Sequence, residues 1–434
     1  MNRRRLLGAV ASGLAVGLAG CSQLDDEGSE LTRFVVDDVE PILSEPLPEV
    51  PRAAPVEPDP EAIEAERENV EQLLDPVPDT VTADDVPNGV IREGIQAARD
   101  GAEESLREAE SDDLALDGLR ETRTARRQAR EANVAYGAID GDVTREELDD
   151  ERRERTAALD RRLDERAYVG EDPHRTLSLA HRIETDRYEA KNRADRFQRG
   201  EDNVLRLGEF AAEVEFAAAT LDVTDHLDKA HEERLDDSQS FTEAFEEALD
   251  ESLDRTEEYD RLLDDEPAEL VDADIEDDHR IETVLWEGSR DVDTAASRMR
   301  DAAADGHLGR GLYWACAFEV RALAYERLLD AIDDGEYGTV EEIDDLRTVR
   351  EDAVGRLHDA LDVPSEDSVG HVLLRGQYER LTWTDEALDR RVEQSGEASM
   401  SLNREYRTYV WTAEQLDAVS EGVTRFEDRI DRVA

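Results

Sequence analysis

Histidine, aromatic and acidic side chains recur at a fixed spacing in this 434-residue sequence. His181 is followed by Tyr188 after seven residues and by Asp195 after another seven. Because seven residues are close to two helical turns, the three side chains would share one helix face over about 21 Å. Such a stripe could line a ligand groove, but its groups are too far apart to act on one atom.

The stripe belongs to an internal repeat. The five residues that begin at His181 recur identically from His279, and a weaker third copy begins at His371. A period of about 95 residues indicates tandem units. The histidines and aromatic residues of the three copies are candidate ligand residues: His181, Tyr188, His279, Trp286, His371 and Tyr378.

The same stripe also suits a helix interface. Polar side chains between packed helices form hydrogen bonds across the interface, and repeated units pack on their neighbours through such faces. Packing is therefore the first interpretation, and a ligand groove is the second.

The histidine spacing does not indicate a metal site. Glu171, Asp228 and Glu276 each precede a histidine by three residues, as in the Glu-x-x-His spacing of di-iron bundles. With 113 acidic residues in the chain, about two such neighbours are expected by chance for eight histidines. We predict neither a metal site nor a cofactor.

Motifs for catalysis are missing from the sequence. It contains no Gly-x-Ser-x-Gly element, no phosphate-binding loop and no dinucleotide fingerprint. Cys316 lies in the apolar helical stretch 312–318, where a thiol packs as a small hydrophobic group. We therefore expect that the protein is not an enzyme.

The first 21 residues carry targeting chemistry. Arg3 and Arg4 precede an apolar run that is too short to span a bilayer and that ends at Leu18-Ala19-Gly20-Cys21. The arginine pair resembles a twin-arginine export signal, and the last four residues resemble the lipobox of lipoproteins. The resemblance implies a signal peptide over 1–20 and a lipid on the Cys21 thiol. That lipid would anchor the chain at the extracytoplasmic face of the membrane; the alternative is an uncleaved signal anchor.

Acidic residues dominate the composition. Asp and Glu number 113 against 52 Lys and Arg, which gives a formal net charge of −61. This composition is similar to that of haloarchaeal proteins, because carboxylate-rich surfaces stay hydrated and soluble at high salt. Nucleic acids need basic patches, so the charge argues against them as partners.

Proline marks the end of the N-terminal region. Ten of the 13 prolines lie between Pro41 and Pro87 and favour an extended chain. We expect a lipidated N-terminus and proline-rich tether over 21–60 that lifts the body off the membrane. A short acidic helix and linker over 61–82 would follow. Four helical units are then predicted: 83–168, 173–264, 278–362 and, with two helices, 366–434.

Apolar residues recur at intervals of three and four, and no stretch alternates strictly enough to predict a strand. Gly200-Glu201-Asp202 and Asp236-Asp237-Ser238 divide the second unit into three helices, 173–199, 203–235 and 241–264. The sequence therefore predicts an all-α protein, an elongated array of tandem three-helix units.

These features favour a membrane-anchored lipoprotein that acts as a non-catalytic scaffold or protein-binding module for an unidentified protein partner. The alternative is a helical solute- or metal-binding lipoprotein that uses the His/aromatic stripe. The two differ in a structural expectation: an open cleft along the stripe favours the alternative, and closure between packed helices removes it.

Overall fold

The computed structural model describes residues 34–35, 39–196, 203–259, 262, 265–271, 279–337, 342–395 and 399–434. Over these ranges the chain forms twelve α-helices and two pairs of two-residue strands, which confirms the prediction of an all-α helical array. The helices are α1 Pro60–Leu74, α2 Gly89–Ser111, α3 Ala115–Gly137, α4 Arg145–Asp164, α5 Pro173–Arg196, α6 Val204–Glu232, α7 Thr242–Arg255, α8 His279–Ala304, α9 Leu308–Asp333, α10 Ile343–Ala360, α11 Val369–Ser395 and α12 Asn403–Val433. The antiparallel strand pairs are β1 Phe34–Val35 with β4 Ser399–Met400, and β2 Val169–Gly170 with β3 Gln239–Ser240. Among the described helices, none is both long and apolar enough to cross a bilayer.

Local sequence explains where several helices begin. The Asn88 and Asn203 side chains accept backbone N–H bonds at the starts of α2 and α6. Thr144 and Glu147 form a capping box at the start of α4. Pro173 is the first residue of α5, a position at which a backbone N–H would have no hydrogen-bond partner within the helix.

The helices pack as two groups. In the first, α3 packs on α1, α2 and α6, and α5 packs on α4 and α6. In the second, α9 packs on α7, α8 and α12, and α12 also packs on α10 and α11. Leu312, Cys316 and Tyr325 of α9 are fully buried, as expected for a helix enclosed by others.

The second predicted unit divides between these groups. Its three expected helices correspond to α5, α6 and α7, but α7 packs against α8, α9 and α12. The cause is the apolar face of α7, where Phe245, Ala248 and Leu249 join the core of the second group. The predicted grouping of 173–264 therefore differs from the packing, although the helices themselves are present.

The two groups meet where α9 crosses α5. Glu184 of α5 is fully buried, and its carboxylate accepts the backbone N–H of Arg310 at 2.8 Å and the Tyr168 hydroxyl at 2.7 Å. The Tyr168 oxygen in turn accepts the backbone N–H of Leu308 at 3.1 Å. A carboxylate from one group thus caps a helix of the other, where the helix dipole favours negative charge.

Glycine allows this crossing to be close. A Cβ on Gly309 would lie 2.6 Å from the backbone nitrogen of His181 and 2.7 Å from the carbonyl carbon of Ala180. Both atoms belong to the α5 backbone and cannot rotate away. The absence of a side chain at position 309 therefore sets the distance between α5 and α9.

Residues 39–59, which we call the strap, pack across both groups of helices. The strap contributes five buried apolar side chains: Val39, Ile42, Val50, Ala53 and Val56. Proline lacks a backbone N–H and disfavours sheet pairing, and several of the strap's carbonyl groups accept hydrogen bonds from arginine side chains. Arg350 donates to the carbonyl oxygens of Ile42 at 3.0 Å and Glu45 at 2.7 Å, and Arg175 of α5 donates to that of Pro55 at 2.7 Å.

The strap corrects the expectation of a free tether over 21–60. Its apolar side chains are interspersed with prolines, and they bury surface on α5, α10 and α11 rather than staying in water. Residues 21–33 of the predicted tether lie outside the described residues. The predicted helix of 61–82 is present as α1.

We predict that Gly309→Ala destabilises the protein. The new Cβ would overlap the α5 backbone, so the two helices must separate, at a cost of roughly 1–3 kcal/mol or more. The measurement is the denaturant midpoint of unfolding at constant high salt.

Gly355→Ala is the matched control. Gly355 is also helical, but a Cβ there meets no atom within 4 Å. Alanine should therefore leave stability unchanged or raise it by about 0.5–1 kcal/mol. Equal effects of the two substitutions would contradict the close α5–α9 contact.

Candidate functional site

An open cleft of about 640 Å³ lies at the junction of α5, α8 and α9. Along α5, the lining residues His181, Thr185, Tyr188 and Asn192 are spaced by four, three and four residues, so they share one helix face. The first turns of α9 supply Arg310, Tyr313 and Trp314, and α8 supplies Arg298 and Asp301.

His181 is the most deeply buried of the predicted ligand residues in the cleft. Its ring stacks on Tyr313, with 3.9 Å between centroids and 12° between planes. Burial lowers the pKa of His181 to about 3, and the positive charges of Arg182 and Arg310 act in the same direction. The imidazole is therefore neutral near pH 7 and presents a ring rather than a charge.

Arg310 supplies a positive charge beside the neutral ring. Its guanidinium carbon lies 3.5 Å from the centroid of the Tyr188 ring, in cation–π geometry. One guanidinium N–H donates to Nδ1 of His307 at 3.2 Å, and burial lowers the pKa of His307, which keeps this acceptor unprotonated. Arg310 is thus held in place by uncharged rings.

Trp314 has a similar relation to two other arginines. The guanidinium of Arg298 lies 4.7 Å from the Trp314 ring centroid, and that of Arg321 lies 5.4 Å away. Trp314 also meets Tyr313 edge to face, with 5.2 Å between centroids. The cleft therefore combines half-buried aromatic rings with guanidinium groups.

The charge balance of the cleft is opposite to that of the chain. The cleft is lined by four arginines and only two carboxylates. The arginines are Arg193, Arg196, Arg298 and Arg310, and the carboxylates belong to Glu189 and Asp301. Arg193 pairs with Glu213 at 3.1 Å. Within the described part of the chain, no carboxylate oxygen lies within 4.0 Å of the other three guanidinium groups. In a protein of net charge −61, this concentration of unpaired arginine distinguishes the site.

The stripe predicted on α5 is only partly in the cleft. His181 and Tyr188 line it together, but Asp195 accepts a hydrogen bond from Arg152 of α4 at 2.7 Å. The third position of the stripe thus packs one helix on another, whereas His181, which is buried, and Tyr188, which is partly exposed, both line the cleft.

The other two copies of the stripe lie in different surroundings. His371 is buried and donates from Nε2 to the carbonyl oxygen of Pro51 at 2.7 Å, beneath the strap. Tyr378 lies under the Arg375 guanidinium at 4.6 Å. Trp286 is 50% exposed and does not line the cleft. His279 begins α8, but its side chain is not among the described ones.

Three of the predicted functional residues lie outside the described residues: Arg3, Arg4 and Cys21. Within the described ranges, no group of three or more His, Cys, Asp and Glu side chains is placed to hold a metal ion.

Two family models match the chain, one for each group of helices. Residues 61–237 match a family described as a domain of unknown function (DUF8262), and residues 242–428 match a second one (DUF8264). No curated protein and no solved structure matches the chain. The two matched regions meet between α6 and α7, so the cleft lies between two domains: α5 is in the first, and α8 and α9 are in the second.

Sequence reasoning missed the residues that the second domain contributes. Arg310 lies between Gly309 and Gly311, and Tyr313 and Trp314 follow at once. Two glycines at a helix start signal close backbone approach, and an arginine between them is thereby held at a helix crossing. The apolar character of 312–318 indicated only burial.

We predict that His181 contributes to acid destabilisation. Its pKa in the folded state is lowered from 6.5 to about 3, so below pH 6.5 the unfolded chain binds the proton more tightly. This contribution to stability is complete above pH 6.5 and is lost as the pH falls towards 3. Between pH 7 and pH 5, the unfolding free energy of His181→Phe should fall by roughly 2 kcal/mol less than that of the wild type.

The measurement compares unfolding free energies of the wild type and variant across this pH range at constant salt. His181→Gln is the second variant, which also removes the titrating imidazole but packs differently from phenylalanine. Its unfolding free energy should therefore depend on pH with the same slope as that of His181→Phe, while the absolute stability of the two variants differs. Slopes equal to that of the wild type would contradict the prediction.

Proposed function

We propose that the chain is an exported, lipid-anchored protein that binds a small solute, without catalysis, in the cleft between its two domains. The observation that carries this proposal is the open cleft itself, in which rings of α5 and α9 meet Arg298 and Arg310, two arginines with no described carboxylate oxygen within 4.0 Å of their guanidinium groups. Clefts at domain junctions with apolar walls and a few convergent polar groups are the usual form of small-ligand sites.

The side chains of the cleft favour binding over chemistry. Guanidinium groups and aromatic rings hold and orient a ligand, whereas nucleophilic catalysis needs a nucleophile next to a base. Thr185 meets His181 at 3.4 Å, but burial keeps that imidazole from accepting a proton near pH 7. Cys316 lies in the core of the second domain, where burial raises the pKa of its thiol and keeps it unreactive.

The proposed location rests on Arg3, Arg4 and Cys21. Twelve residues separate Cys21 from β1, a span of at most roughly 45 Å when extended. Because the strap is docked on the body, only this shorter segment separates the proposed lipid from the folded protein. The binding protein would therefore be held near the membrane surface.

A role as a protein-binding module is the second candidate, and one observation favours it. Trp286 on α8 and Trp383 on α11 are 50% and 65% exposed, and tryptophan is enriched at protein–protein interfaces. Neither side chain lines the cleft. A partner on these tryptophans would leave the cleft open, so the two roles are compatible.

The test of solute binding uses a variant that fills the cleft without changing its charge. We predict that the full chain, incubated with a small-molecule extract of its source culture and separated by rapid gel filtration, retains a compound detectable by mass spectrometry. Asn192→Trp should abolish this retention, because an indole would occupy the space beside Tyr188 and Arg310.

Ser238→Trp is the control, since it places the same indole on an exposed turn between α6 and α7. It should retain the compound as the wild type does. Identical retention by wild type and Asn192→Trp, or no retained compound in any sample, would refute the proposal.

The lipid anchor makes a separate prediction. Cys21→Ser removes the nucleophile that would take the lipid, so the variant should be released from membranes or accumulate unprocessed. Fractionation of membranes and medium, with mass spectrometry of the mature N-terminus, measures both effects. Cys316→Ser is the control for loss of a thiol, and unchanged membrane retention of Cys21→Ser would contradict lipidation.

A further inference from the structure

We propose that the ligand of the cleft is a small organic anion with a planar ring, of the aryl carboxylate or aryl phosphate class. This inference rests on the proposed function of solute binding and names the chemistry of the ligand.

The anionic part follows from the arginines. Arg298 and Arg310 approach the cleft from different helices, and no described carboxylate lies within 4.0 Å of either guanidinium. Guanidinium groups bind planar oxyanions through paired N–H donors, and such charge-assisted hydrogen bonds are stronger than neutral ones. Arg310 uses one N–H on His307, which leaves the others available to a carboxylate or phosphate in the cleft.

The planar part follows from the rings. Tyr188, Tyr313 and Trp314 are each partly exposed and line the same cleft. The observed stack of His181 on Tyr313 shows that flat groups already pack face to face here. A ring in the ligand would extend this stacking, which adds about 0.5–1.5 kcal/mol per aromatic pair beyond the area buried.

The two carboxylates of the cleft limit the charge of the ligand. Glu189 and Asp301 line the cleft together with the arginines. They would repel a polyanion such as a nucleic acid, but a ligand with a single anionic group can bind the arginines without contacting them. The volume of about 640 Å³ also corresponds to a small molecule.

Ring and charge are both required under salty conditions. At 1 M salt, screening reduces the range of charge interactions to roughly 3 Å, and inorganic anions compete for exposed guanidinium groups. An anion without a ring would therefore be displaced, whereas stacking is insensitive to such competition. Arg310 lies beside Tyr188 and Arg298 beside Trp314, so the ring and the anionic group of one ligand could be bound at neighbouring positions.

The test is a titration of the full chain with four probes in molar salt: benzoate, phenyl phosphate, phenol and inorganic phosphate. Isothermal calorimetry gives the affinity. We expect benzoate or phenyl phosphate to bind at least tenfold more tightly than either phenol or inorganic phosphate. The stronger of the two shows whether the anionic group is a carboxylate or a phosphate.

Arg298→Gln provides the residue-level readout. It should weaken binding of the preferred probe about tenfold, the loss of one charge-assisted hydrogen bond, without changing the affinity for phenol. Arg327→Gln is the control, because Arg327 is a partly exposed arginine about 25 Å from Arg310 along α9 and binds Asp417 and Glu421.

The outcomes separate this inference from the proposed function. Equal affinity for phenol and for the anionic probes, or no effect of Arg298→Gln, would overturn the ligand class. If no probe binds but the extract yields a compound that Asn192→Trp excludes, the class is wrong and solute binding stands. If no probe binds and the extract yields no such compound, both proposals fail.

Discussion

The arrangement of the two domains depends on one buried carboxylate. Glu184 belongs to α5, yet it accepts the N–H of Arg310 at the start of α9 and the hydroxyl of Tyr168, which itself accepts the N–H of Leu308. A carboxylate is costly to bury, and here the positive end of α9 and these hydrogen bonds stabilise it. Because α9 is the central helix of the second domain, the same contact joins the domains and orients Arg310 and Tyr313 in the cleft.

Helices could be predicted from the sequence, and their partners could not. Apolar spacing and capping residues are local, so α5, α6 and α7 lie near their predicted positions. The choice of neighbours depends on distant surfaces: the Phe245 face of α7 fits the second domain rather than the first. The strap shows the same limit. Its proline-rich sequence is typical of a spacer, and what docks it on the body is arginine side chains more than 300 residues away that bind its carbonyl groups.

Of the twelve residues that line the candidate site, two were predicted from the sequence. The repeat directed attention to His181 and Tyr188, which share a cleft, but the repeated residues His371 and Trp286 have different surroundings because their neighbours differ. Arg310 and Trp314 lie outside the repeated pattern, and Arg310 contacts α5 through the Tyr188 ring. The repeated sequence therefore predicts that each copy forms a helix. Whether its histidine and aromatic side chains line a cleft depends on the helices that pack against that copy.

The strap also affects when the protein can finish folding. A ribosome delivers residues 34–59 early, yet β1 pairs with Ser399–Met400 and His371 binds the carbonyl of Pro51, so these partners emerge almost last. The contacts join residues 320 to 366 positions apart, which makes their closure a late event in folding. The mature arrangement is thus completed only when nearly the whole chain has been synthesised, so the first residues of the body to be made are among the last to reach their final contacts.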